Sequence, residues 1–356
     1  MIPRGGDSPA AAIDDASATT CAVGAPEPVL LLACEAMRTR FELVLPDDGR
    51  GAAALRAVGE AALAEIVGLG ETLSRFRRDG VVRHLERTAP GGWTRIDCEL
   101  FALLSLCAQV CRLSDGLFDV TLGSLMRTHG FHGSRDGGPD DHGVVGLEHA
   151  NCSAGFTAGV TTRTTTSCDA IEFDPVACAV RFPRPLELDL GGVAKGFALD
   201  RAALILREHG IRSALIHGGT SSIIAIGSPP NAQGEAGGQA AGGWSIAIAS
   251  PVGNRRLLLR DAALAVSAPH GRMVDGRPHV IDPRRSAPAV DAADVVAIHI
   301  PLADDPAALP AASADAWTKP TLLESRRPAH LPPGASAFIV HQGRTSLDEL
   351  PIALWA

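Results

Sequence analysis

The chain has 356 residues, enough for one large domain or two ordinary ones with a sizeable core. Hydrophobic residues make up 46% and charged residues 20%, a balance typical of globular proteins that excludes a disordered chain. The formal net charge of −8 argues against a nucleic-acid binder, which normally presents a basic surface. No apolar run approaches the roughly 20 residues needed to cross a bilayer, so we expect no membrane span.

The N-terminal part and the cysteines bear on localisation. Residues 1–28, rich in Ala, Pro, Gly and Asp, are predicted to form a tail and lack the layout of a signal peptide. LLAC at 31–34 resembles a lipoprotein cleavage box, but its apolar run is short, so we predict buried chain there. None of the eight cysteines forms C-x-x-C, which favours buried free thiols in a reducing compartment over disulfides or zinc. We therefore expect a cytoplasmic protein, with a periplasmic or membrane-associated location as the alternative.

The elements predicted along the chain alternate irregularly. Helices are predicted over about 51–75, 98–113, 194–209 and 314–325, the first two from apolar residues that recur every three or four positions. Strands are predicted from Arg40 onward and at 187–190, 213–217, 223–227, 244–249 and 295–300, with hairpins around Asp174 and 336–350. The polar stretches 133–170 and 228–243 are predicted to be loop insertions. This order favours a single large α+β domain of antiparallel or mixed sheet over 29–350.

The sequence ELDLGGVAKGFALD, residues 187–200, combines a glycine turn with a lysine. It fits neither G-x-x-x-x-G-K-[ST] nor G-x-G-x-x-G. Gly191 and Gly192 would let a ligand approach the backbone closely, and Lys195 would lie in the first turn of the following helix. Asp189 could hold a hydroxyl or an imide N–H. A tight turn with a solvated lysine fits the same residues.

Two further segments carry polar groups beside apolar ones. In GLFDVTLGSLM, strand alternation would place Asp119 and Thr121 on the same side, as a structural hydrogen-bond site or as part of a binding site. In RPHVIDPRRSAPAV, His279 is a candidate general base or stacking ring, and Asp282 begins a turn with Pro283. An exposed histidine without a role is the alternative.

The segment SADAWTKPTLLES suggests a metal. Asp315 and Thr318 are three residues apart and share one face of the predicted helix. Carboxylate and hydroxyl oxygens are hard ligands suited to Mg²⁺ or Ca²⁺. An aspartate near a helix start is also an ordinary capping residue, so both interpretations stay open.

The order of these motifs resembles the ApbE family of FAD:protein FMN transferases. The likeness runs from about residue 36 to 345 and rests on the set of motifs, since no single motif is decisive. Its carriers are EAMRTRFEL at 35–43, LSRFRRDG at 73–80, GLFDVTLGSL at 116–125, ELDLGGVAKGFALD at 187–200, SALIHGGTSSIIAIG at 213–227, PHVIDPRRSAP at 278–288 and SADAWTKPTLL at 313–323.

The resemblance implies an α+β domain that binds FAD in a cleft between sub-structures, with Mg²⁺ at the pyrophosphate. A threonine hydroxyl of an acceptor flavoprotein would attack the phosphorus of the FMN half, and AMP would leave. It assigns the FAD site to Met37, Phe76, Leu117, Phe118, Asp119, Asp189, Lys195, His279, Val280 and Ile281. It assigns the metal to Asp315, Thr318 and the carbonyl of Gly192, and the general base to His279 with support from Asp282.

The sequence departs from the family pattern at several positions. Arg38 stands where glycine is usual, and Gly80-Val81 replace a usual Ser-Glu pair. The pattern places the metal threonine four residues after the aspartate, where this chain has Lys319, with Thr318 one residue early. An FAD-binding protein without turnover and an FAD pyrophosphatase giving FMN and AMP are therefore alternatives. From the sequence pattern alone, a generic nucleotide-phosphate enzyme is a third.

Overall fold

The computed structural model describes residues 14–15, 29–77, 79–131, 171–230, 242–269, 273–274 and 277–348. The predicted tail at 1–28 lies outside the described residues except for 14–15, and so does the predicted insertion at 133–170. The predicted loop at 228–243 is described only at its two ends, and the predicted domain end at 349–350 is not described.

The described residues form helices and short strands in irregular order. The helices are α1 (Ala52–Thr72), α2 (Val81–Thr88), α3 (Cys98–Leu113), α4 (Gly123–Thr128), α5 (Ala194–Glu208) and α6 (Pro310–Glu324), with a 3-10 turn at Ala89–Gly91. The strands are β1 (Asp14–Asp15), β2 (Val29–Ala36), β3 (Thr39–Pro46), β4 (Thr94–Arg95), β5 (Glu172–Asp174), β6 (Ala179–Arg181), β7 (Ala214–Gly218), β8 (Ser222–Ile226), β9 (Trp244–Ile248), β10 (Arg255–Leu259), β11 (Ala262–Ser267), β12 (Met273–Val274), β13 (Arg277–Pro278), β14 (Ile281–Asp282), β15 (Ala287–Pro288), β16 (Val295–Pro301), β17 (Ser336–His341) and β18 (Arg344–Asp348).

One antiparallel sheet organises the domain. Its strand order is β1-β2-β3-β7-β8-β11-β16-β17-β18, and small two- and three-stranded sheets lie beside it. Neighbouring strands run antiparallel throughout, and several are joined by short turns, as between β2 and β3. The predicted α+β class is therefore confirmed. In the part of the chain described, no helix is both long and apolar enough to cross a membrane.

The two faces of the sheet are covered by different elements. Along β11, Ala263 and Ala265 face the helices, where α1, α5 and α6 form the larger cores. Their neighbours Ala262 and Leu264 face the hairpin of β9 and β10, which contributes Trp244 and other apolar residues to a separate core. This alternation follows from the two-residue period of a strand, and it buries β11 on both sides.

Helices α5 and α6 pack against each other at unusually close range. A Cβ added to Gly196 in α5 would lie 2.3 Å from the carbonyl oxygen of Ala311 in α6. Ala311, the residue of α6 at this contact, is also buried. Small side chains let two helix backbones approach, so this contact fixes where the N-terminus of α5 lies relative to α6.

Two element predictions differ from the structure. Residues 187–190 were expected as a strand, but the backbone is extended without a strand partner apart from a bridge between Leu122 and Glu187. Helix α6 begins at Pro310, four residues before its predicted start, because proline is well tolerated in the first turn and the alanines after it favour helix.

The prediction of free cysteines is wrong for one pair. Cys98, at the start of α3, is bonded to Cys178, in the turn between β5 and β6. The spacing of 80 residues gave no local sign of this pairing, which depends on the packing of that hairpin beside α3. Cys34, Cys107 and Cys111 are free and buried, as expected.

Replacing Gly196 with alanine should destabilise the protein by about 1–3 kcal/mol, since the new methyl group overlaps backbone atoms of α6 that cannot yield cheaply. Gly68→Ala in α1 is the matched control, because a Cβ at Gly68 meets nothing within 4 Å. That control should gain about 0.5–1 kcal/mol from helix propensity. Urea unfolding of both variants measures the difference, and equal effects would refute the close contact.

Removing the disulfide with Cys98→Ser and Cys178→Ser should lower the free energy of unfolding by about 2–5 kcal/mol, because the bond closes a long loop in the unfolded chain. Denaturant unfolding with and without reductant checks this. The wild type should weaken in reductant, whereas the double variant should not respond. A wild type whose thiols all react under denaturing, non-reducing conditions would contradict the bond.

Candidate active site

Several amide groups of the turn at 189–196 already have acceptors within the protein. Asp189 Oδ1 accepts a hydrogen bond of 2.8 Å from the amide of Gly191. The amides of Val193 and Ala194 both donate to the carbonyl of Leu190, at 2.9 and 2.8 Å. These bonded amides do not form a free nest of N–H groups for a phosphate. The amides of Gly191, Val193 and Ala194 are therefore not available to a ligand at this turn.

Arg75 connects the turn with the end of α1. Its Nη1 lies 3.6 Å from Asp189 Oδ2, and both side chains are largely buried. The guanidinium also lies 5.9 Å from the ring centre of Phe76, which is half exposed. Asp189 is thus anchored between an amide and a guanidinium, and Phe76 presents an aromatic face close by. The sequence singled out Phe76 in LSRFRRDG but not Arg75.

Met37 lies at the same end of α1. The turn between β2 and β3 consists of Met37 and Arg38, with φ of 50° and 63°. Two positive φ values define a tight hairpin turn that favours glycine, so Arg38 adopts a backbone conformation that costs a side chain strain. A Cβ on Gly70 of α1 would lie 3.5 Å from Met37 Cγ, so the methionine packs against the helix.

The segment 117–121 reaches the glycine turn through a phenylalanine. Leu117 and Phe118 are buried, and a Cβ on Gly192 would lie 3.6 Å from Phe118 Cε2. Asp119 Oδ1 accepts 2.7 Å hydrogen bonds from both the amide and the hydroxyl of Thr121. The two side chains do meet, but through a turn and not through the predicted strand alternation.

The segment with His279 is folded by its own turn. Val280 and Ile281 are buried, while His279 is partly exposed. Asp282 Oδ1 accepts a 2.9 Å hydrogen bond from the amide of Arg284, so this carboxylate shapes the turn that it begins.

That turn is tied to the 117–131 region. His129 Nε2, just after α4, lies 2.9 Å from the carbonyl oxygen of Ser286. The contact connects the histidine segment with the chain that carries Phe118, although the two are more than 150 residues apart.

Asp315 lies in the middle of α6 and caps a different helix. Its Oδ2 accepts a 2.8 Å hydrogen bond from the amide of Gly196 in the first turn of α5. Its Oδ1 accepts a 2.8 Å bond from Ser222 Oγ at the start of β8. The carboxylate is almost fully buried and satisfied by these donors. Asp315 therefore caps α5, and not the start of its own helix as the capping alternative expected.

Asp200 performs the reciprocal role. Its two carboxylate oxygens accept 2.8 and 2.9 Å hydrogen bonds from the amides of Ala311 and Ala312 in the first turn of α6. Burial raises the pKa of Asp200 well above its ordinary value, against the lowering effect of these amides. Helices α5 and α6 thus cap each other. This role of Asp200 was missed, because an aspartate in a helix interior carries no local signal for it.

Thr318 is fully buried and its hydroxyl is fully used. It donates to the carbonyl of Asp315 at 2.7 Å and accepts from Ser267 Oγ at 2.9 Å and Lys319 Nζ at 2.8 Å. A hydroxyl has one proton and two lone pairs, so no lone pair is left for a metal. The predicted metal-ligand role of Thr318 does not fit this arrangement.

Lys319 lies at the centre of this polar group. Besides Thr318, its Nζ contacts Ser267 Oγ at 3.2 Å and the carbonyl oxygen of Asp315 at 3.3 Å. Its Cε would lie 3.7 Å from a Cβ on Gly192, so the side chain lies against the glycine turn. Burial lowers the pKa of Lys319 to about 8; Asp315 opposes this shift and the nearby Lys195 adds to it.

Mg²⁺ does not fit the predicted ligand set. A divalent ion on Thr318 would lie close to the ammonium of Lys319, and at about 3 Å and an effective dielectric constant of about 20 the repulsion is on the order of 10 kcal/mol. Among the described residues, no group of three or more His, Cys, Asp and Glu could hold a metal.

The structure thus brings several predicted residues together. Around Lys319 lie Phe118, Gly192, Lys195 and Asp315, and Asp189 belongs to the same turn as Gly192.

Sequence reasoning missed Ser222, Ser267 and Arg75. Their positions become apparent only once β8, β11 and the end of α1 are placed beside α6. The ring of Phe118 and two lysines thus lie at the glycine turn of an α+β domain.

Comparison with known proteins identifies the family. The ApbE family profile matches residues 37–327. A Treponema pallidum protein named FAD:protein FMN transferase is 29% identical over 262 residues, covering 70% of this chain and 69% of that protein. A Rhodobacter capsulatus protein of the same name is 29% identical over 211 residues, covering 56% of this chain and only 35% of that protein.

Solved structures show the same fold. The ApbE protein of Thermotoga maritima has a TM-score of 0.67 at 23% identity and covers 90% of this chain and 97% of its own. The flavinyl transferase ApbE of Pseudomonas stutzeri has a TM-score of 0.64 at 20% identity, with 88% and 91% covered. The chain belongs to the ApbE family, as the motifs predicted.

The raised pKa of Asp200 predicts a specific pH dependence. The folded state holds this proton more tightly than the unfolded state, so the group's contribution to stability is full below the ordinary pKa, 3.8, and falls as the pH rises through the raised value. Wild type should therefore lose stability relative to Asp200→Asn as the pH rises from 5 to 8, measured by urea unfolding.

Asp304→Asn is the control for this experiment, because Asp304 is fully exposed. The difference between that variant and the wild type should stay nearly constant over the same range. A pH-independent difference for Asp200→Asn would contradict the raised pKa.

Proposed function

We propose that the protein is an FAD:protein FMN transferase that moves FMN from FAD to a threonine hydroxyl of an acceptor flavoprotein. The observation that carries the proposal is the meeting of Phe118, Gly192, Lys195 and Lys319 at one turn, within a chain that matches the ApbE family over 37–327. Aromatic surface suits the flavin, and two ammonium groups suit the pyrophosphate.

The proposed reaction is a displacement at phosphorus. The threonine oxygen forms a bond to the phosphorus of the FMN half, and the bond from that phosphorus to the bridging oxygen breaks. The bridging oxygen leaves with AMP, and the hydroxyl proton passes to a base. Such reactions depend mainly on positioning and on neutralising charge. His279 is the proposed base, since it is partly exposed beside a turn that Asp282 holds in place.

Arg75 and Phe76 support the flavin part of the site. The Arg75 guanidinium holds the Asp189 carboxylate in place, and the carboxylate oxygens could also accept a hydrogen bond from the N–H of the flavin imide. Met37 extends the apolar surface at the end of α1. Magnesium dependence, which the resemblance implies, stays a prediction, and the arrangement around Thr318 does not favour it.

We also propose an oxidising location for the protein, such as the periplasm, which was the alternative to the cytoplasm. The support is the disulfide between Cys98 and Cys178, because structural disulfides persist mainly outside the reducing cytoplasm. Thiol alkylation of fractionated cells before and after reduction tests this location.

Incubating the purified protein with FAD and an acceptor domain that carries the threonine should give a fluorescent covalent flavin adduct and an equal amount of AMP. An acceptor with valine at that threonine should give no adduct. Free FMN and AMP without an acceptor would instead identify a pyrophosphatase. Bound FAD without any AMP would refute the transferase proposal.

His279→Asn should slow the transfer by about 10²–10⁴-fold, the usual contribution of a general base, while changing FAD affinity less. His330→Asn is the matched control, because His330 is exposed after α6. Single-turnover adduct formation and FAD titration separate the two effects. A transfer rate that is unchanged in His279→Asn would remove this residue as the base.

A further inference from the structure

The basic residues of this chain are almost all arginines. Of 32 basic residues only two are lysines, Lys195 and Lys319, and the other 30 are arginines. Both lysines lie at the glycine turn, close enough for Lys195 to influence Lys319 electrostatically. A chain that uses arginine everywhere else therefore places its two compact ammonium groups at one site.

The chemistry of the two side chains explains this choice. An ammonium is a compact point charge with three donors, whereas a guanidinium is a wide planar fork. Lys319 Nζ points at three oxygens, those of Ser267, Thr318 and the Asp315 carbonyl, at 2.8–3.3 Å. A set of hard oxygens around a compact positive charge is the environment of a bound cation.

The ammonium also occupies the place that the predicted metal would need. The second lone pair of the Thr318 hydroxyl accepts a hydrogen bond from Lys319 Nζ. The Lys319 side chain also lies against Gly192, whose carbonyl was predicted as another metal ligand. Lys319 itself stands four residues after Asp315, the spacing at which the family resemblance implies a metal-binding threonine. Lys319, which stands in place of a metal ligand, thus puts its own positive charge where the metal ion would bind.

We propose that the Lys319 ammonium is the built-in cation of this site and takes the place of a divalent metal ion toward the pyrophosphate of the ligand. Lys319 is partly exposed as a residue, but its ammonium is buried among the three oxygens, so an anionic oxygen of the ligand binds Nζ by replacing the two longer contacts. Lys195, also partly exposed, supplies a second positive charge on the same side. This inference rests on the proposed function for the identity of the ligand.

The first test measures metal binding without any flavin. Mn²⁺ titration followed by electron paramagnetic resonance should show no micromolar site in the wild type. Lys319→Thr restores threonine at the four-residue spacing and removes the ammonium, so it should gain a Mn²⁺ site that Mg²⁺ displaces. A micromolar Mn²⁺ site in the wild type would overturn the proposal.

The second test measures FAD binding by flavin fluorescence in EDTA and in MgCl₂. The wild-type Kd should agree within twofold between the two buffers, and Lys319→Met should bind at least tenfold more weakly in both. Arg326→Met is the control, because Arg326 is an exposed cation just after α6. Circular dichroism and thermal unfolding confirm that each variant is folded.

The outcomes separate the two proposals. Loss of wild-type FAD binding in EDTA, or equal affinity of wild type and Lys319→Met, would overturn the role of Lys319. A wild type that binds no FAD in either buffer would instead refute the proposed function. In that case the Mn²⁺ titration alone decides whether the site holds a metal.

Discussion

The reciprocal capping of α5 and α6 is the constraint on which the rest of the site depends. The first turn of any helix exposes amide groups that need acceptors. Here each helix supplies them to the other, Asp315 to α5 and Asp200 to α6, across a contact that only Gly196 permits. Moving either helix would break buried hydrogen bonds at both ends, so the relative position of the two is closely determined.

That fixed position places chemistry from distant segments side by side. The turn before α5 carries Gly192, the first turn of α5 carries Lys195, and α6 carries Lys319. Strands β8 and β11 add Ser222 and Ser267 from beneath, so the polar group is supported by the sheet as well as by the helices. The result is a preorganised positive site in which hydrogen bonds hold Ser267, Thr318 and Lys319 in place.

Much of the fold could be predicted because its signals are local. The apolar spacing in α1 and α3 and the glycine after α5 are readable from neighbouring residues. The functions of Asp200 and Asp315 could not be read this way, because a capping aspartate was expected near its own helix start, whereas here each aspartate serves another helix. Likewise, the offset of three residues from Asp315 places Thr318 on the same helix face. The spacing does not reveal that the Thr318 hydroxyl accepts a hydrogen bond from Lys319.

The covalent link between Cys98 and Cys178 has an evolutionary consequence. It joins the start of α3 to the β5–β6 turn, so every residue from 99 to 177, including the polar stretch 133–170, lies inside one closed loop. The entropic cost of closing a loop grows only slowly with its length. Insertions and deletions in that stretch can therefore accumulate between species while both anchor points, and the core that they flank, keep their places.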